Sequence, residues 1–238
     1  MDAVTRAELA GRWAYRAELE HTAAARFRRL ADRLEAEGFD RELVAIARLA
    51  VEQERDHVRL CAEIAERFGD RVELPAEPAL PEIAPASFGS RDRAVYEVVA
   101  FCCITETANA AVVTAGADDI DDTAIRKAVR TILADEVQHS RLGWRFLATH
   151  ELTDDQRAWI GGYLPHMLKG TVREDLFKPV PIVGDELTMQ KYGTLPVAGR
   201  RQAFLDGMRE VLIPGLDPHG IDTSLAAQFL DELEASIG

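Results

Sequence analysis

The chain has 238 residues, of which 41 are acidic and 28 are lysine or arginine, so its formal net charge is −13 at pH 7. Such an excess of negative charge repels nucleic acid and anionic membranes, and we expect neither as a partner. Hydrophobic residues make up 47% of the chain and aromatic residues only 7%. That composition is typical of a helical protein with one well-buried core.

The cysteines and the N-terminal residues indicate the cellular compartment of the protein. Cys61, Cys102 and Cys103 form no Cys-x-x-Cys pair of the kind that binds structural zinc. An odd number of cysteines with an adjacent pair is not a disulfide framework, which favours a reducing cytosol. Residues 1–12 lack the apolar core of a signal peptide, and we find no uninterrupted apolar run long enough to span a bilayer. The sequence therefore predicts a cytoplasmic protein.

Four stretches have the hydrophobic periodicity of long amphipathic helices. They span residues 3–37, 40–68, 91–116 and 121–150. The short connections within the first and second pairs predict two antiparallel helical hairpins. The segment between the pairs contains Pro75, Pro78, Pro81 and Pro85, so it is predicted to be an extended crossover rather than a helix.

The remaining residues are predicted to form a C-terminal helical extension. Helices are expected over 154–169, 198–212 and 222–236, with a loop that contains Pro179, Pro181 and Pro196 after the first of them. We predict a single all-α domain over residues 1–238. Residues 1–150 form its four-helix bundle, and residues 151–238 pack on that bundle.

Two of the predicted helices carry the same Glu-x-x-His motif. Helix two contains Glu54 and His57, and helix four contains Glu136 and His139. This spacing places a carboxylate and an imidazole on one face of a helix. A single copy is a weak signal, but both copies lie within apolar stripes, so both are predicted to face the core. The stripes are Leu43, Ile46, Ala50, Cys61, Ile64 and Phe68 in helix two, and Ile125, Val129, Ile132, Gly143 and Phe146 in helix four.

The other two predicted helices each contribute one glutamate to an apolar stripe. In helix one, Glu20 lies between Trp13 and Phe27, whereas Glu18 lies on the opposite side and is predicted to be solvated. In helix three, Glu106 joins a stripe that consists of Val95, Val99, Cys102 and Val113. Buried carboxylates are unstable unless they are paired, protonated or bound to metal.

Four buried carboxylates and two imidazoles therefore predict a metal site, since two divalent ions balance four negative charges. Oxygen-rich ligation with two imidazoles suits iron or manganese better than copper or structural zinc. We expect two Fe ions, with Mn/Fe and Mn/Mn pairs as alternatives. The alternative without metal is a helical bundle with buried ion pairs at the same positions. The predicted ligands are Glu20, Glu54, His57, Glu106, Glu136 and His139.

The order Glu, Glu-x-x-His, Glu, Glu-x-x-His over residues 5–150 resembles the ferritin-like di-iron carboxylate superfamily. The pattern Glu20-x-x-Ala23-x-x-x-Phe27 is similar to the first helix of rubrerythrin-type members. Asp135, directly before Glu136, resembles the Asp-Glu-x-x-His motif of bacterial di-iron monooxygenases. The resemblance implies a ferritin-like four-helix bundle with a long crossover and additional C-terminal helices. It also implies that Asp135 orients a ligand histidine.

Several positions depart from particular members of that superfamily. Gln53 stands where the first motif would have the Asp, so Asp56 or another residue would have to orient its histidine. Cys61 replaces the tyrosine of ribonucleotide reductase small subunits, which argues against radical storage. Ile132 replaces the additional histidine of p-aminobenzoate N-oxygenases. Asn109 lies near the position of a threonine in many desaturases and hydroxylases, and is either an oxygen-handling residue or a helix-packing amide.

The resemblance implies an O₂-activating di-iron oxidase or oxygenase. Such an enzyme oxidises a small organic substrate by hydroxylation, N-oxygenation or desaturation, and it takes electrons from an external donor. The residues after His150 favour this reading, because a substrate enzyme needs walls and a lid. An apolar helical face would also allow a homodimer.

Three alternatives remain. A ferroxidase or iron-storage protein would use the same six ligands, but the long extension counts against it, and no methionine for a bacterioferritin-like haem lies in the four predicted helices. A rubrerythrin-like peroxidase would need another protein as electron donor, because the chain has no rubredoxin segment. The last alternative is a non-catalytic metal-binding or interaction module.

Overall fold

The computed structural model describes residues 1–172, 176–177 and 183–236. Every regular element in these residues is helical, and no strand occurs among them, so the all-α prediction is confirmed. The α-helices are α1 (Ala3–Ala36), α2 (Arg41–Phe68), α3 (Ser90–Glu97), α4 (Glu106–Ala117), α5 (Thr123–Thr149), α6 (Asp154–Thr171), α7 (Glu186–Gln190), α8 (Val197–Gly207), α9 (Ile213–Leu216) and α10 (Ser224–Ala235). Two π-helices, π1 (Val98–Thr105) and π2 (Met208–Leu212), and a 3₁₀ turn, Asp217–His219, complete the set.

The first two helices form the expected hairpin. Asp40 caps α2, because its side chain accepts a hydrogen bond from the backbone N–H of Glu42 at 2.8 Å. Gly38 and Gly69 end the two helices with positive φ angles of 69° and 111°, where a side chain would be strained. Because only residues 37–40 connect α1 to α2 and the two helices pack together, they run antiparallel.

The proline-rich segment after α2 is not helical, as predicted. Over residues 70–83 it follows α1, to which several polar contacts attach it. Nε2 of His21 lies 2.8 Å from the carbonyl oxygen of Pro75, and Arg29 donates to the carbonyl oxygen of Leu80 at 3.0 Å. Further along α1, an ion pair joins Arg33 to Glu82.

The third predicted helix is interrupted by π1, which separates α3 from α4. The hydroxyl of Thr105 donates to the carbonyl oxygen of Ala100, five residues earlier, at 3.1 Å. A π-turn contains one more residue than an α-turn, so it changes which residues share a face. All residues from Ala94 to Ile104 are buried, so burial in this region extends beyond the apolar stripe that the sequence predicts.

The continuous helical stretch Ser90–Ala117 is long and apolar enough to cross a membrane, by length and composition alone. Its most apolar window has a mean hydropathy of 1.6, and 61% of that window is buried inside the protein. The stretch is not an uninterrupted apolar run, because it contains Glu97 and Glu106. Burial inside the protein accounts for the apolar sequence equally well.

The chain divides into two compact units. Unit 1 comprises Met1–Ile83, Gly116–Asp135 and Ile182–Pro196. Unit 2 comprises Ala84–Ala115, Glu136–Pro181 and Val197–Gly238. The division falls inside α5, between two consecutive residues, and the predicted C-terminal extension contributes residues to both units.

In unit 1, a segment that includes α7 packs on α1. This helix was not predicted from the sequence, while Pro179 and Pro181 of the predicted loop lie outside the described residues. Trp13 donates its indole N–H to the carbonyl oxygen of Tyr192 at 3.1 Å. Gly193 has a φ of 81°, and a Cβ there would lie 2.9 Å from the Trp13 ring. Only glycine fits both the positive φ and the lack of space for a Cβ at this position.

In unit 2, α6 packs against π1 and α10. Thr153 begins α6 with a capping box, in which its hydroxyl accepts from the backbone N–H of Gln156 and its own N–H donates to the Gln156 side chain. An aromatic cluster fills the space beside α3 and α6. Its rings belong to Phe88, Tyr96, Trp159 and Tyr163. Burial raises the pKa of Tyr96 to about 12, so its phenol stays protonated.

Candidate functional site

All six predicted ligands are buried. Their exposed fractions are 5% for Glu20, 0% for Glu54, His57 and Glu106, and 1% for Glu136 and His139. Glu18, the solvated alternative in α1, is exposed as expected. The six residues fall into two groups of three, one in each unit.

Glu20, Glu54 and His57 form the first triad, which lies in unit 1. Each side chain offers one ligand atom, and these three atoms lie within 4.8 Å of one another. The closest contact joins Nδ1 of His57 to Oε2 of Glu54 at 3.2 Å. Because α2 places Glu54 and His57 three residues apart, both side chains project from one face of the helix. The first triad therefore presents two carboxylates and an imidazole to one buried point.

Asp135, also in unit 1, holds the ring of His57. Its Oδ2 lies 3.1 Å from Nε2 of His57, and its Oδ1 accepts a hydrogen bond from the Gln53 amide at 2.7 Å. Both ring nitrogens of His57 thus face a carboxylate oxygen, Nε2 that of Asp135 and Nδ1 that of Glu54. Asp56, the alternative suggested by sequence, is exposed and pairs with Arg59 instead.

Arg16 is a further contact of the first triad that was not predicted from the sequence. Its Nε donates to Oε1 of Glu20 at 3.1 Å, one helical turn away on α1. The same guanidinium lies over the Trp13 ring at 5.7 Å from the centroid, which holds it in place. The Arg-x-x-x-Glu spacing was the available signal, because residues four apart are neighbours on a helix.

Glu106, Glu136 and His139 form the second triad, which lies in unit 2. Their ligand atoms also lie within 4.8 Å of one another. Nδ1 of His139 is 4.0 Å from Oε2 of Glu106 and 3.9 Å from Oε2 of Glu136. Glu106 is the first residue of α4, directly after π1. The second triad thus repeats the donor atoms of the first with wider separations.

Other buried groups surround the second triad. Burial raises the pKa of the Cys102 thiol well above its ordinary value, and the negative charge of Glu106 raises it further. Glu97 also contributes to that shift and is itself fully buried. Glu97 is not among the residues that the sequence pattern predicts for the site. The sequence feature that could have indicated Glu97 is its position as a lone acidic residue between Tyr96 and Val98, inside an otherwise apolar run.

The other predicted residues have less defined positions. Asn109 is half-buried on α4, and its oxygen-handling role stays a prediction. All three cysteines are buried, and none forms a disulfide. Burial raises the pKa of the Cys103 thiol as well, so it stays protonated and is a poor metal ligand.

Each triad has the donor set of a metal site. Two carboxylate oxygens and one imidazole nitrogen carry two negative charges, which a divalent cation balances. These buried Glu and His groups could therefore hold a metal ion. Without a cation, burying two carboxylates so close together is unfavourable. The described residues thus define an all-helical protein with two buried carboxylate–histidine triads.

No protein-family model, no curated protein and no solved structure matches this chain. The helical fold and the chemistry of the two triads are therefore the basis for assigning a class of protein.

Proposed function

We propose that the chain is a non-haem di-iron oxidase or oxygenase with a ferritin-like four-helix bundle. In this proposal each triad holds one iron ion, with Mn/Fe or Mn/Mn as alternative pairs. The observation that carries the proposal is the repetition of one donor set. Two carboxylates and one imidazole, all buried, occur once in each unit.

The order of the ligands along the chain supports two metal ions per chain. Asp135 contacts His57 of the first triad, and the next residue, Glu136, belongs to the second triad. Helix α5 therefore contributes residues to both triads. The sequence order of two Glu and two Glu-x-x-His segments resembles that of ferritin-like di-iron proteins.

The chain's own residues would prepare the site for oxidation chemistry. Bound iron would supply the activation of O₂. With metal bound, Asp135 would orient the His57 ring through Nε2, and Nδ1 would bind the metal. Arg16 occupies one oxygen of Glu20 and favours ligation through the other. Burial of all six ligands excludes water from the reacting centre.

The stoichiometry of oxygen chemistry explains the expected partners. Inserting one oxygen atom from O₂ into a C–H bond takes two electrons from the substrate. Two further electrons and two protons convert the second oxygen atom to water. A small organic substrate and an external electron donor are therefore part of the proposal, as is a cytoplasmic location. A homodimer is a further expectation.

Iron loading tests the proposal against iron storage. We expect Fe(II) titration in air to saturate near two ions per chain, because both ions stay with their ligands. Addition of O₂ to the reduced, loaded protein should then produce a ferric absorption band. An iron-storage protein instead moves Fe(III) into a cavity and keeps taking up iron. Tens of ions per chain in a large particle would establish storage and exclude the oxygenase.

A matched pair of variants tests the ligand assignment. Glu106→Ala removes one carboxylate of the second triad, and we expect it to lose at least one metal ion per chain. Glu18→Ala removes an exposed carboxylate of α1 and should leave both ions bound. Plasma mass spectrometry of the purified proteins gives the metal content. Equal content in the two variants would contradict the ligand assignment.

A further inference from the structure

The outward side of α5 in unit 1 differs in charge from the rest of this acidic chain. From Thr123 to Ala134 it contains three basic residues and no acidic one. The guanidinium of Arg126 is held by the carbonyl oxygen of Ile120 at 2.7 Å. Lys127 and Arg130 are exposed, and neither forms an ion pair within the part of the chain that the structure describes. They line an open groove along the helix, which we call the basic groove.

The basic groove ends at Asp135. The Asp135 side chain is 18% exposed, whereas the His57 ring that it contacts is fully buried. A molecule in the groove would therefore be separated from an imidazole of the first triad by one side chain and one hydrogen bond. Within unit 1, this is a short connected route from solvent to the triad.

The size of the basic groove indicates the kind of occupant. Twelve residues of α-helix extend about 18 Å, which exceeds the length of a small carboxylate or phosphate. The groove is open to solvent along one helix and does not enclose a ligand. A protein surface fits such a shape better than a small molecule. Its charge requires that this protein surface be acidic.

We propose that the basic groove, formed by Arg126, Lys127 and Arg130, is the docking surface for an acidic electron-donor protein. This inference rests on the proposed function, which requires an external donor. Each docking transfers one electron: the donor's redox group is oxidised by one electron, and one ferric ion is reduced to ferrous. Two dockings reduce the pair. Because both proteins are acidic elsewhere, their general repulsion restricts the encounter to this surface.

Binding of a ferredoxin tests the docking surface directly. The probe is an acidic [2Fe–2S] ferredoxin, and its dissociation constant for the metal-loaded full chain is measured by fluorescence anisotropy at low salt. The variant K127E/R130E should weaken binding about tenfold or more. The control R41E/R71E makes the same change in net charge at two exposed residues of unit 1 outside the groove. It should leave the dissociation constant nearly unchanged.

Three outcomes would overturn the proposal. These are equal weakening by both variants, no binding of ferredoxin to the wild-type chain at low salt, and binding of benzoate or inorganic phosphate in the groove without ferredoxin binding. Anisotropy reports binding and not turnover, so a failure of docking with two irons still bound leaves the proposed function intact. Loss of iron binding would instead contradict the proposed function.

A reduction assay separates docking from damage to the metal site. Reduced ferredoxin should bleach the ferric absorption of K127E/R130E at least about tenfold more slowly than that of the wild type. Dithionite, which needs no protein surface, should reduce both at similar rates. Similar rates with ferredoxin would overturn the proposal. If dithionite also reduced K127E/R130E slowly, the defect would lie at the metal site. That result would overturn the docking proposal too.

Discussion

The two triads contain the same donor atoms, but different contacts position them. In the first triad, Asp135 holds His57 and Arg16 holds Glu20, with contact distances near 3.1 Å. In the second triad, Nδ1 of His139 lies 3.9–4.0 Å from carboxylate oxygens of Glu106 and Glu136. These contacts are longer than those that hold His57 and Glu20 in the first triad.

Helix packing gives the second triad its position. Gly143 lies on α5 one turn after His139, and a Cβ there would be 2.6 Å from the Cys103 sulfur and 2.8 Å from the Cys103 backbone nitrogen. Glycine thus lets α5 approach π1 closely within unit 2. The same donor set is thus supported by short polar contacts in unit 1 and by the close approach of two helices in unit 2.

Removal of metal should have the largest effect, since it affects both triads. Four buried carboxylates then lose their counter-charge, and unfolding becomes easier at neutral pH. A metal present at a thousand times its dissociation constant stabilises a fold by about 4 kcal/mol. We expect a chelator to lower the melting temperature at pH 7. The difference should narrow as pH falls, because protonation weakens metal binding and relieves repulsion. Identical melting temperatures at pH 7 would contradict a two-metal core.

The packing of the second triad is tested by Gly143→Ala. The new Cβ meets backbone atoms that cannot move aside easily, so we expect a loss of about 1–3 kcal/mol in unfolding free energy. Gly162→Ala is the matched control, because no atom lies within 4 Å of a Cβ at that exposed position of α6. It should stabilise the protein by up to about 1 kcal/mol. Urea denaturation measures the unfolding free energy of both variants. Changes of the same sign in the two variants would contradict close packing at Gly143.

The polar support of the first triad is tested by Asp135→Asn. An amide still fits the space but no longer provides a second acceptor oxygen for both Gln53 and His57. We expect metal affinity to fall about 10–100-fold with the fold retained. Asp56→Asn changes an exposed carboxylate next to His57 in the sequence, and its metal affinity should equal that of the wild type. Calorimetric titration with metal distinguishes the two variants.

A smaller effect is expected at the start of α5 in unit 1. Asp122 accepts hydrogen bonds from the N–H groups of Ala124 and Ile125 and pairs with Arg67. Removing such a cap costs about 1 kcal/mol, so Asp122→Ala should lower the unfolding free energy by that amount. Asp122→Asn should cost less, because an amide oxygen can still cap the helix.

The pH dependence of the Asp122 variants follows from its pKa. The Arg67 guanidinium and the two N–H groups lower the pKa of Asp122 below its ordinary value of 3.8. The ionised carboxylate therefore stabilises the folded protein above pH 3.8, and that contribution is lost as pH falls through the lowered pKa. The difference between wild type and Asp122→Asn should shrink below pH 3.8. A difference that grows on acidification would contradict the ion pair with Arg67.

The sequence by itself determined the long helices α1, α2 and α5 and the burial of the six predicted ligands. Helical periodicity is a local property, and a Glu or His on an apolar stripe is carried into the core with its neighbours. The boundaries of α1, α2 and α5 agree with the prediction to within about two residues. The cap at Asp40 and the helix end at Gly38 were readable for the same reason, since both depend on residues nearby in the chain.

Tertiary structure alone decided the contacts that join distant parts of the chain. The sequence left open which residue holds His57, because Asp135 is remote in sequence and no local rule pairs them. The π1 helix was missed because its register depends on packing that α-helical periodicity does not describe. Burial of Glu97 likewise follows from contacts on all sides of that segment. The helix α7 was missed because its five residues are held by contacts to α1 rather than by their own helix propensity.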